Sequence, residues 1–471
     1  MKVLLVYPLP YRVEKDGMFS LGLASLSAVL KEKGHQTDLL AADRVLPSMI
    51  ASKLESFAPE LIGVTSTTDQ FPLAGKLIAF ISGTVPVPIV LGGIHPTVCP
   101  EESIALPGVR AVCIGEGEGA ILDIIQRLGE GQNLDPIPNL WVRRPDGSVL
   151  RNEVRPLIED LDTLPFPDRD LFPYRSILRN RGGGLEVMAS RGCPFPCSFC
   201  SSHKLQELYR GKGKFVRYRP VKNVIEEIRT QMHRFPEATT VTFHDDTFNL
   251  NKDYLRELGT TYAKEVRLPF RCNLRADLLD EETMALLKEA NCGSVWIGVE
   301  AGNDHVRNQV LQKKLSRDHL VRAFELARGA GIKTRAFNMS GSPGETKEQI
   351  LETIRLNQRL APDEIPTPAI FRPYPGTLLY DYCAQKGWIS QRTTQGYGDS
   401  SILNQPSISA RQLNYLQEVF PYLVQQTRML PLFKVLAHLR VRRAYAHLPE
   451  GMKALLRIPL NFLRGSRRGP A

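Results

Sequence analysis

The sequence predicts an α/β protein with a doubly wound parallel sheet, then a partial (β/α)6 barrel, then a helical C-terminal extension. Two observations lead to this prediction. Residues 1–135 hold five short apolar runs separated by loops and helical stretches, and residues 184–385 hold six more such units. Residues 136–183 interrupt the alternation as a hairpin and linker rich in Pro, Asp and Arg, and residues 386–471 form the extension.

The first domain shows strand and helix patterns in strict order. The run KVLLVYP at 2–8 is typical of a buried strand, and residues 21–34 have a helical period that stops at Gly34. Four further candidate strands follow: QTDLLAAD, ELIGVTST, VPIVLGG and RAVCIGEGE. Crossover helices between such strands predict a parallel sheet covered on both faces, which binds ligands at the carboxyl ends of its strands.

The middle segment and the second domain follow the same logic. The stretch NLWVRRPDGSVLRNEVRPL predicts a hairpin that turns at Pro145, Asp146 and Gly147, and DLDTLPFPDRDLFPYRS predicts an extended linker. Six candidate strands then alternate with helical stretches: LEVMAS, TVTFHDD, LPFRCN, SVWIGVE, IKTRAFNMS and DEIPTPAIF. Barrels of this kind also place their chemistry at the carboxyl ends of the strands.

The composition indicates a globular chain. Of 471 residues, 42% are hydrophobic and 23% are charged, and no apolar run is long enough to cross a bilayer. The opening MKVLLVYPLP does not resemble a signal peptide, because its apolar run stops at Pro8 and no small-residue cleavage site follows. We therefore expect a cytoplasmic protein whose thiols stay reduced.

Three of the eight cysteines, Cys193, Cys197 and Cys200, lie just after the first predicted barrel strand. A structural zinc site normally has four ligands; no fourth Cys lies nearby, although His203 would complete such a site. A disulfide would leave one thiol unpaired. An iron–sulfur cluster held by three thiolates would leave one iron open to a substrate or cofactor. The other five cysteines occur singly and are typical of buried apolar residues.

The spacing Cys193-x-x-x-Cys197-x-x-Cys200, with Phe199 before the last cysteine, resembles the signature of the radical S-adenosylmethionine (radical SAM) enzymes. The resemblance implies that the three cysteines hold a [4Fe–4S] cluster whose open iron binds SAM. It implies an external electron donor, a 5′-deoxyadenosyl radical that abstracts hydrogen, and Phe199 against the adenine. It also implies SAM contacts from other strand ends by Asp245, Glu300, Arg335 and Asn338.

A wound, flavodoxin-like domain directly before such a core resembles the cobalamin-dependent radical SAM subfamily, with "GGIHPTVCPEE" and "GEGE" carrying the likeness. The likeness implies that strand-end residues bind cobalamin: Pro8, Pro10, Thr65, Ser66, Thr67, Gly92, Gly93, His95, Gly115, Glu116 and Glu118. Corrinoid domains with a histidine on cobalt carry Asp-x-His-x-x-Gly, and none of the nine histidines here has Asp two residues before it. His95 is therefore not expected to ligate cobalt. A wound domain without its cofactor, or with a flavin, is the alternative.

The subfamily resemblance implies a methyltransferase that methylates an unactivated carbon through the 5′-deoxyadenosyl radical and methylcobalamin. Two alternatives stay open. The first is a radical cyclase, ring-contracting enzyme or oxidase that uses the same cofactors without methyl transfer. The second, of another class, is a non-catalytic protein that senses cobalamin or SAM.

The end of the chain concentrates positive charge. Residues 428–471 hold ten Lys or Arg and one acid, which accounts for nearly all of the formal net charge of +10. These residues alternate with large apolar ones, a pattern typical of amphipathic helices on an anionic membrane surface. We therefore expect peripheral contact with the inner face of the membrane and a small-molecule or lipid-like substrate; a helical cap on the barrel is the alternative. No nucleic-acid partner is expected, because no continuous basic arm is present.

Overall fold

The computed structural model describes residues 1–9, 18–390 and 401–425. Its first sheet has seven strands in the order β2-β1-β3-β4-β5-β6-β7. The strands are β1 Lys2–Pro8, β2 Gln36–Ala42, β3 Leu61–Thr65, β4 Ile89–Gly92, β5 Ala111–Cys113, β6 Leu140–Arg143 and β7 Val149–Arg151. The helices between them are α1 Leu21–Glu32, α2 Pro47–Phe57, α3 Phe71–Ser82, α4 Ile94–Val98, α5 Pro100–Ala105 and α6 Glu118–Gly129.

Strands β1 to β5 are all parallel, and their order 2-1-3-4-5 is that of the doubly wound, flavodoxin-like sheet. Alternate residues of β1 pack on opposite faces: Val3 and Leu5 belong to one buried cluster, and Leu4 and Val6 to another. Burial on both faces explains why this strand is a continuous apolar run. The predicted fold of this domain is confirmed.

The predicted hairpin forms, and it adds two antiparallel strands to the edge of the same sheet. Strand β6 pairs with β5, and β7 pairs with β6. The turn closes through a hydrogen bond from the Arg144 N–H to the Ser148 carbonyl at 2.8 Å, and Gly147 has a φ of +84° that favours glycine. The segment that was expected to be an extended linker contains a helix, α7 Tyr174–Asn180. The proposed domain limits stay a prediction.

The second sheet is a half-barrel of six parallel strands in the order β15-β14-β13-β12-β11-β8. The remaining strands are β8 Gly184–Val187, β9 Ser190–Arg191, β10 Arg217–Tyr218, β11 Thr240–Phe243, β12 Phe270–Leu274, β13 Cys292–Glu300, β14 Lys333–Ser340 and β15 Ala369–Ile370. The remaining helices are α8 Ser202–Leu208, α9 Val221–Arg234, α10 Lys252–Glu265, α11 Glu281–Glu289, α12 Arg317–Ala330, α13 Lys347–Leu360, α14 Leu378–Gln385 and α15 Ala410–Gln425. The partial (β/α)6 prediction is confirmed.

Sequence-encoded signals fix the limits of the barrel helices. The Ser316 hydroxyl accepts a hydrogen bond from the backbone of His319 at 3.0 Å, which caps the start of α12, and Gly331 ends that helix at a φ of +74°. Helix α13 begins with the same arrangement, in which Thr346 caps the backbone of Gln349. Such caps set where each helix meets its strand and hence where the strand-end loops begin.

The described part of the C-terminal extension packs on the barrel. Helix α15 buries Leu413, Leu416 and Phe420 in one cluster with Ile350 and Ile354 of α13. The predicted helical character of the extension is confirmed for this helix. Residues 426–471, which carry the basic segment, lie outside the described residues, as does Pro10. In the described ranges no helix has the length and apolarity needed to span a membrane.

Candidate functional site

The three cysteines lie in one loop, residues 192–201, which we name the cysteine loop. It follows the short strand β9, which pairs with β10, and it ends where α8 begins. Gly192 starts the loop with a φ of +95°, and a Cβ there would collide with the Phe215 carbonyl. All three cysteines are free thiols of intermediate exposure. The loop therefore presents its thiols at the carboxyl end of the barrel, as the sequence predicted.

Contacts with distant segments hold the cysteine loop in shape. Ser198, which is 1% exposed, donates its hydroxyl proton to the Val310 carbonyl at 2.7 Å. Its own carbonyl accepts a bond from the Leu379 N–H at 3.1 Å, which links the loop to α14. The Gln206 side chain donates to the Cys193 carbonyl at 2.8 Å. These hydrogen bonds tie the middle of the loop and Cys193 to the surrounding protein, so the loop can hold its thiolates at fixed positions around one centre.

The electrostatic surroundings differ between the thiols. Burial raises the pKa of Cys193, and hydrogen bonds with the Phe195 backbone and the Thr247 hydroxyl oppose that effect. Burial also raises the pKa of Cys197, but the nearby Lys313 and Arg275 lower it. The two cations favour a thiolate at Cys197, the form that ligates metal. The thiols are near enough to raise one another's pKa, as expected for ligands that share one cluster.

Lys313 belongs to a strained group at the end of β13. Its Nζ lies 2.6 Å from Oε1 of Glu300, which has a left-handed backbone with a φ of +62°. Such a conformation costs a non-glycine residue about 1 kcal/mol or more and clusters at functional sites. The register between β13 and β14 shifts between Gly298 and Glu300, so the strand ends in a bulge. Glu300 thus lies at the strand end where the sequence placed a SAM contact.

Asp245 has a different environment from the one expected of a SAM contact. It is 1% exposed, and its carboxylate accepts hydrogen bonds from the Ala189 N–H at 3.1 Å and from the Ser190 hydroxyl. Burial raises its pKa to about 6, although these hydrogen bonds lower it. Through them Asp245 fixes the chain between β8 and the cysteine loop. Its role toward SAM stays a prediction, and the observed contacts are those of a positioning residue.

The other predicted SAM contacts divide between the two faces of the barrel. Asn338 is 4% exposed and exchanges side-chain hydrogen bonds with Asn357 of α13, at 2.8 and 3.1 Å. Asn338 therefore lies in the layer between β14 and α13, away from the other residues that were predicted to contact SAM. Arg335 lies beside the Trp296 ring, 5.3 Å from its centroid. Phe199 packs against the cluster that includes Phe371 and Leu379.

The first domain contains a cavity of about 350 Å³ at the carboxyl edge of its sheet. Its walls come from the sheet, from α1 and α6, and from the barrel residues Met188, Ser190 and Arg191. Predicted cobalamin contacts line it: Thr65, Gly92, Gly93, Gly115, Glu116 and Glu118. Gly93 has a φ of +101°, and a Cβ there would meet the Ser66 carbonyl at 2.8 Å. Only glycine lets the two strand-end loops approach so closely.

Other residues that were predicted to contact cobalamin do not line this cavity. The Pro8 carbonyl accepts a hydrogen bond from the Gln70 side chain at 2.8 Å. Ser66 is 1% exposed and donates its hydroxyl proton to the Thr67 carbonyl at 2.8 Å. His95 is 2% exposed and packs beside the Phe71 ring. Pro8, Ser66, Thr67 and His95 therefore do not line the cavity, although the Ser66 N–H donates to the Gly92 carbonyl at 2.9 Å and lies directly behind its wall.

The GEGE loop, residues 115–118, is joined by ion pairs to β9, the strand that leads into the cysteine loop, and to its partner strand β10. Arg191, two residues before Cys193, lies 3.0 Å from Glu116 and 2.6 Å from Glu118. Arg217 of β10 also pairs with Glu116 at 2.9 Å. Burial lowers the pKa of Arg191, but Glu118 and Glu116 outweigh that effect and raise it. The carboxylates that the sequence assigned to cobalamin thus connect the two domains.

Several residues of the site escaped sequence analysis. Lys313, Arg191 and Arg217 carry no motif and become relevant only through their partners. Gln405 lies in the C-terminal extension, for which the sequence predicted no site residue, yet its side chain accepts a bond from the Gly344 N–H at 2.7 Å. Glu345, in the loop after β14, accepts bonds from the Gly341 and Ser342 N–H groups at 2.7 and 3.0 Å. The acidic residue within "SGSPGET" was the available signal for Glu345.

Comparison with known proteins agrees with this geometry. The B12 binding domain family matches residues 15–125, and the Radical SAM superfamily matches residues 187–356. An uncharacterized methyltransferase of Pyrococcus horikoshii is 31% identical over 394 residues, covering 81% of this chain and 83% of that protein. The anaerobic magnesium-protoporphyrin IX monomethyl ester cyclase of Rubrivivax gelatinosus is 26% identical, covering 77% of this chain and 66% of that protein.

A solved structure shares the fold. The radical SAM methyltransferase TsrM from Kitasatospora setae, solved with cobalamin and a [4Fe–4S] cluster, superposes with a TM-score of 0.67 at 20% identity, covering 88% of this chain and 84% of that one. Two cofactor domains in this order define an enzyme class in which a corrinoid lies next to a SAM-cleaving cluster. The chain belongs to this class, the cobalamin-dependent radical SAM enzymes.

The residues present fit the three cofactors of that family, which are a [4Fe–4S] cluster, SAM and cobalamin. Three free thiols in one rigid loop suit a cluster with one open iron. The cavity behind Gly92 and Gly93 has room and glycine-lined walls for part of a bulky cofactor. The sequence predicted no histidine ligand for cobalt, and His95 is not among the residues that line the cavity.

Proposed function

We propose that this enzyme methylates an unactivated carbon of a small molecule, with SAM as the methyl source. The observation that supports the proposal is the ion-paired junction of the GEGE loop with Arg191, because it joins the wall of the first-domain cavity to the strand that leads into the cysteine loop. When bound, the cofactors supply the methyl carrier and the hydrogen-abstracting radical. The methyltransferase name of the Pyrococcus relative supports the proposal.

The protein's own groups orient the reactants and exclude water. Lys313 and Arg275 favour the thiolate of Cys197, and the Glu300–Lys313 pair holds two opposite charges at the barrel mouth. Asp245 fixes the chain that leads into the cysteine loop, and Ser198 fixes the loop itself. A reaction that uses a free radical depends on such positioning, because a misplaced substrate would lose hydrogen from the wrong atom. An external reductant remains part of the proposal.

The alternative is radical cyclisation or oxidation without methyl transfer. It is favoured by the likeness to the Rubrivivax cyclase, which covers 77% of this chain. Both candidate reactions use the same cofactor sites and differ in the products derived from SAM. A methyltransferase consumes one SAM as methyl donor and a second as radical source, whereas a cyclase needs only the second.

The test is anaerobic reconstitution with iron, sulfide, cobalamin and SAM, with dithionite as the electron donor, followed by mass spectrometry of the nucleoside products. We expect both S-adenosylhomocysteine and 5′-deoxyadenosine. The matched control is Cys197→Ala, which should yield no 5′-deoxyadenosine. If 5′-deoxyadenosine forms without S-adenosylhomocysteine, methyl transfer is wrong and the cyclase class is correct. If neither forms, the enzyme reading gives way to a cofactor-sensing role.

The position of the enzyme in the cell is part of the proposal. We infer that the basic segment 428–471 brings the protein to an anionic membrane surface and toward a lipid-like substrate. Ten cations against one acid support this inference. Each cation near an anionic leaflet contributes on the order of 1 kcal/mol, so several together would hold the protein reversibly.

A further inference from the structure

Three metal-binding side chains lie together at the carboxyl edge of the first sheet, next to the cavity. His95 is on α4, Cys99 joins α4 to α5, and Glu102 is on α5. One nitrogen, one sulfur and one carboxylate oxygen from these residues all lie within 4.8 Å of one another. The His95 Nε2 and the Glu102 Oε2 are 3.6 Å apart. The spacings of four and three residues put the three side chains on one side of the bent helix pair.

His95 supplies an independent sign of a missing ligand. Its side chain is 3% exposed, and Nε2 has no hydrogen-bond partner among the described residues. The other ring nitrogen, Nδ1, lies 3.2 Å from the Thr68 hydroxyl. A buried nitrogen without a partner is unfavourable, because it has lost its hydrogen bond to water and gained none in exchange. A hydrogen bond at Nδ1 is the usual way in which proteins aim the free lone pair of Nε2 at a metal.

A cation between the three side chains would satisfy them together. The His95 Nε2 lies 3.6 Å from the Glu102 carboxylate, and the Cys99 sulfur belongs to the same group of ligand atoms within 4.8 Å. A bound metal ion accepts a lone pair from each of these donors and favours the thiolate over the thiol.

We propose that His95, Cys99 and Glu102 bind a zinc ion. A mixed set of nitrogen, sulfur and oxygen donors suits zinc, whereas magnesium and calcium prefer oxygen ligands alone. Nitrogen and oxygen ligands at about 2.0–2.2 Å from a tetrahedral zinc are about 3.3–3.5 Å apart, and the His95 Nε2 and Glu102 Oε2, at 3.6 Å, are within about 0.1 Å of that interval. Three protein ligands leave the fourth position to water.

The zinc ion joins α4 to α5, because all three ligands belong to the segment that follows β4. Gly92 and Gly93, which line the cavity, come directly before this segment. The ion thus holds together the two short helices beside the cavity. It also assigns His95 to zinc and keeps that residue away from cobalt.

The experiment uses the full-length, anaerobically reconstituted enzyme, supplied with zinc chloride and then desalted. Metal analysis should find about one zinc per chain in addition to the cluster iron. X-ray absorption at the zinc edge, which is blind to iron and cobalt, should show one sulfur at about 2.3 Å and nitrogen or oxygen neighbours at about 2.0–2.1 Å. His95→Gln and Cys99→Ser should each lower zinc content at least about tenfold.

Glu101→Gln is the matched control for Glu102→Gln, and His35→Gln is the matched control for His95→Gln. Glu101→Gln and His35→Gln should keep their zinc, and all variants should keep their cluster iron. The proposal is overturned by a wild-type enzyme without zinc, by zinc bound only to sulfur, or by zinc retained in both His95→Gln and Cys99→Ser. The wild-type measurement stands even if a variant fails to fold. Methyl transfer is measured separately, so either proposal can fail alone.

Discussion

Replacing Arg191 by Met should uncouple the two cofactor domains. The change keeps the apolar stem but removes the guanidinium that pairs with Glu116 and Glu118. Glu116 retains Arg217, whereas the structure gives Glu118 no other ion pair among the described residues. The Arg191 and Glu118 side chains are 25% and 9% exposed. Breaking a fully buried pair costs about 3–5 kcal/mol and an exposed one about 0–1, so we expect a loss of about 2 kcal/mol.

The loss should appear in cobalamin affinity and in product ratio. A weakening of about 2 kcal/mol corresponds to an increase in Kd of about thirtyfold. Because the variant keeps all three cysteines, it should still form 5′-deoxyadenosine, but the yield of S-adenosylhomocysteine relative to it should fall. Equilibrium binding of cobalamin and mass spectrometry of the two nucleosides measure these effects. A merely structural role would lower both products together.

The matched control is Arg155→Met. Arg155 is similarly exposed at 23% and pairs with Asp123 at 2.7 Å, but this pair joins α6 to the segment after β7 of the first sheet and does not reach the barrel. It should bind cobalamin like the wild type. In a double-mutant cycle, Arg191→Met and Glu118→Gln should show a coupling energy of about 1–2 kcal/mol in cobalamin binding. Additive effects of the two changes, or an unchanged product ratio in Arg191→Met, would refute the coupling.

Four further predictions concern other parts of the molecule. Cys197→Ala should lose the cluster iron and 5′-deoxyadenosine formation, whereas Cys292→Ala should cost only packing stability; full iron content in Cys197→Ala would contradict the assignment. Burial raises the pKa of Glu345 to about 7, so the folded state binds its proton more tightly than the unfolded state and stability falls as pH rises from about 4.5 to 7. Glu345→Gln should therefore flatten the fall in Tm between pH 5 and about 8, and an equally steep fall would show that another group titrates. The electron paramagnetic resonance of bound cob(II)alamin should lack axial nitrogen splitting and be the same in His95→Gln; splitting lost in the variant would place this histidine on cobalt. In flotation with anionic vesicles, the full chain should float at low salt and a chain ending before residue 428 should not; equal behaviour of the two would favour the barrel cap.

Local patterns carried most of the fold and the centre of the site. The alternation of apolar runs with helical periods predicted both parallel sheets, because apolar runs, helical periods and helix caps are all patterns of residues that are close in sequence. Cys193, Cys197 and Cys200 could be found for the same reason, since one short loop holds all three. The turn at Gly147 was equally readable, because a positive φ favours glycine there.

Only the tertiary structure decided which partner each strand-end residue has. Glu116 and Glu118 were assigned to cobalamin, but their carboxylates pair with Arg191, which is more than 70 residues away. Asn338 was assigned to SAM, but strand register places it against Asn357. The sequence by itself determined the cofactor chemistry, because that chemistry needs particular residue types at short spacing. It did not determine the orientation of single side chains, because orientation depends on register and on contacts between distant segments.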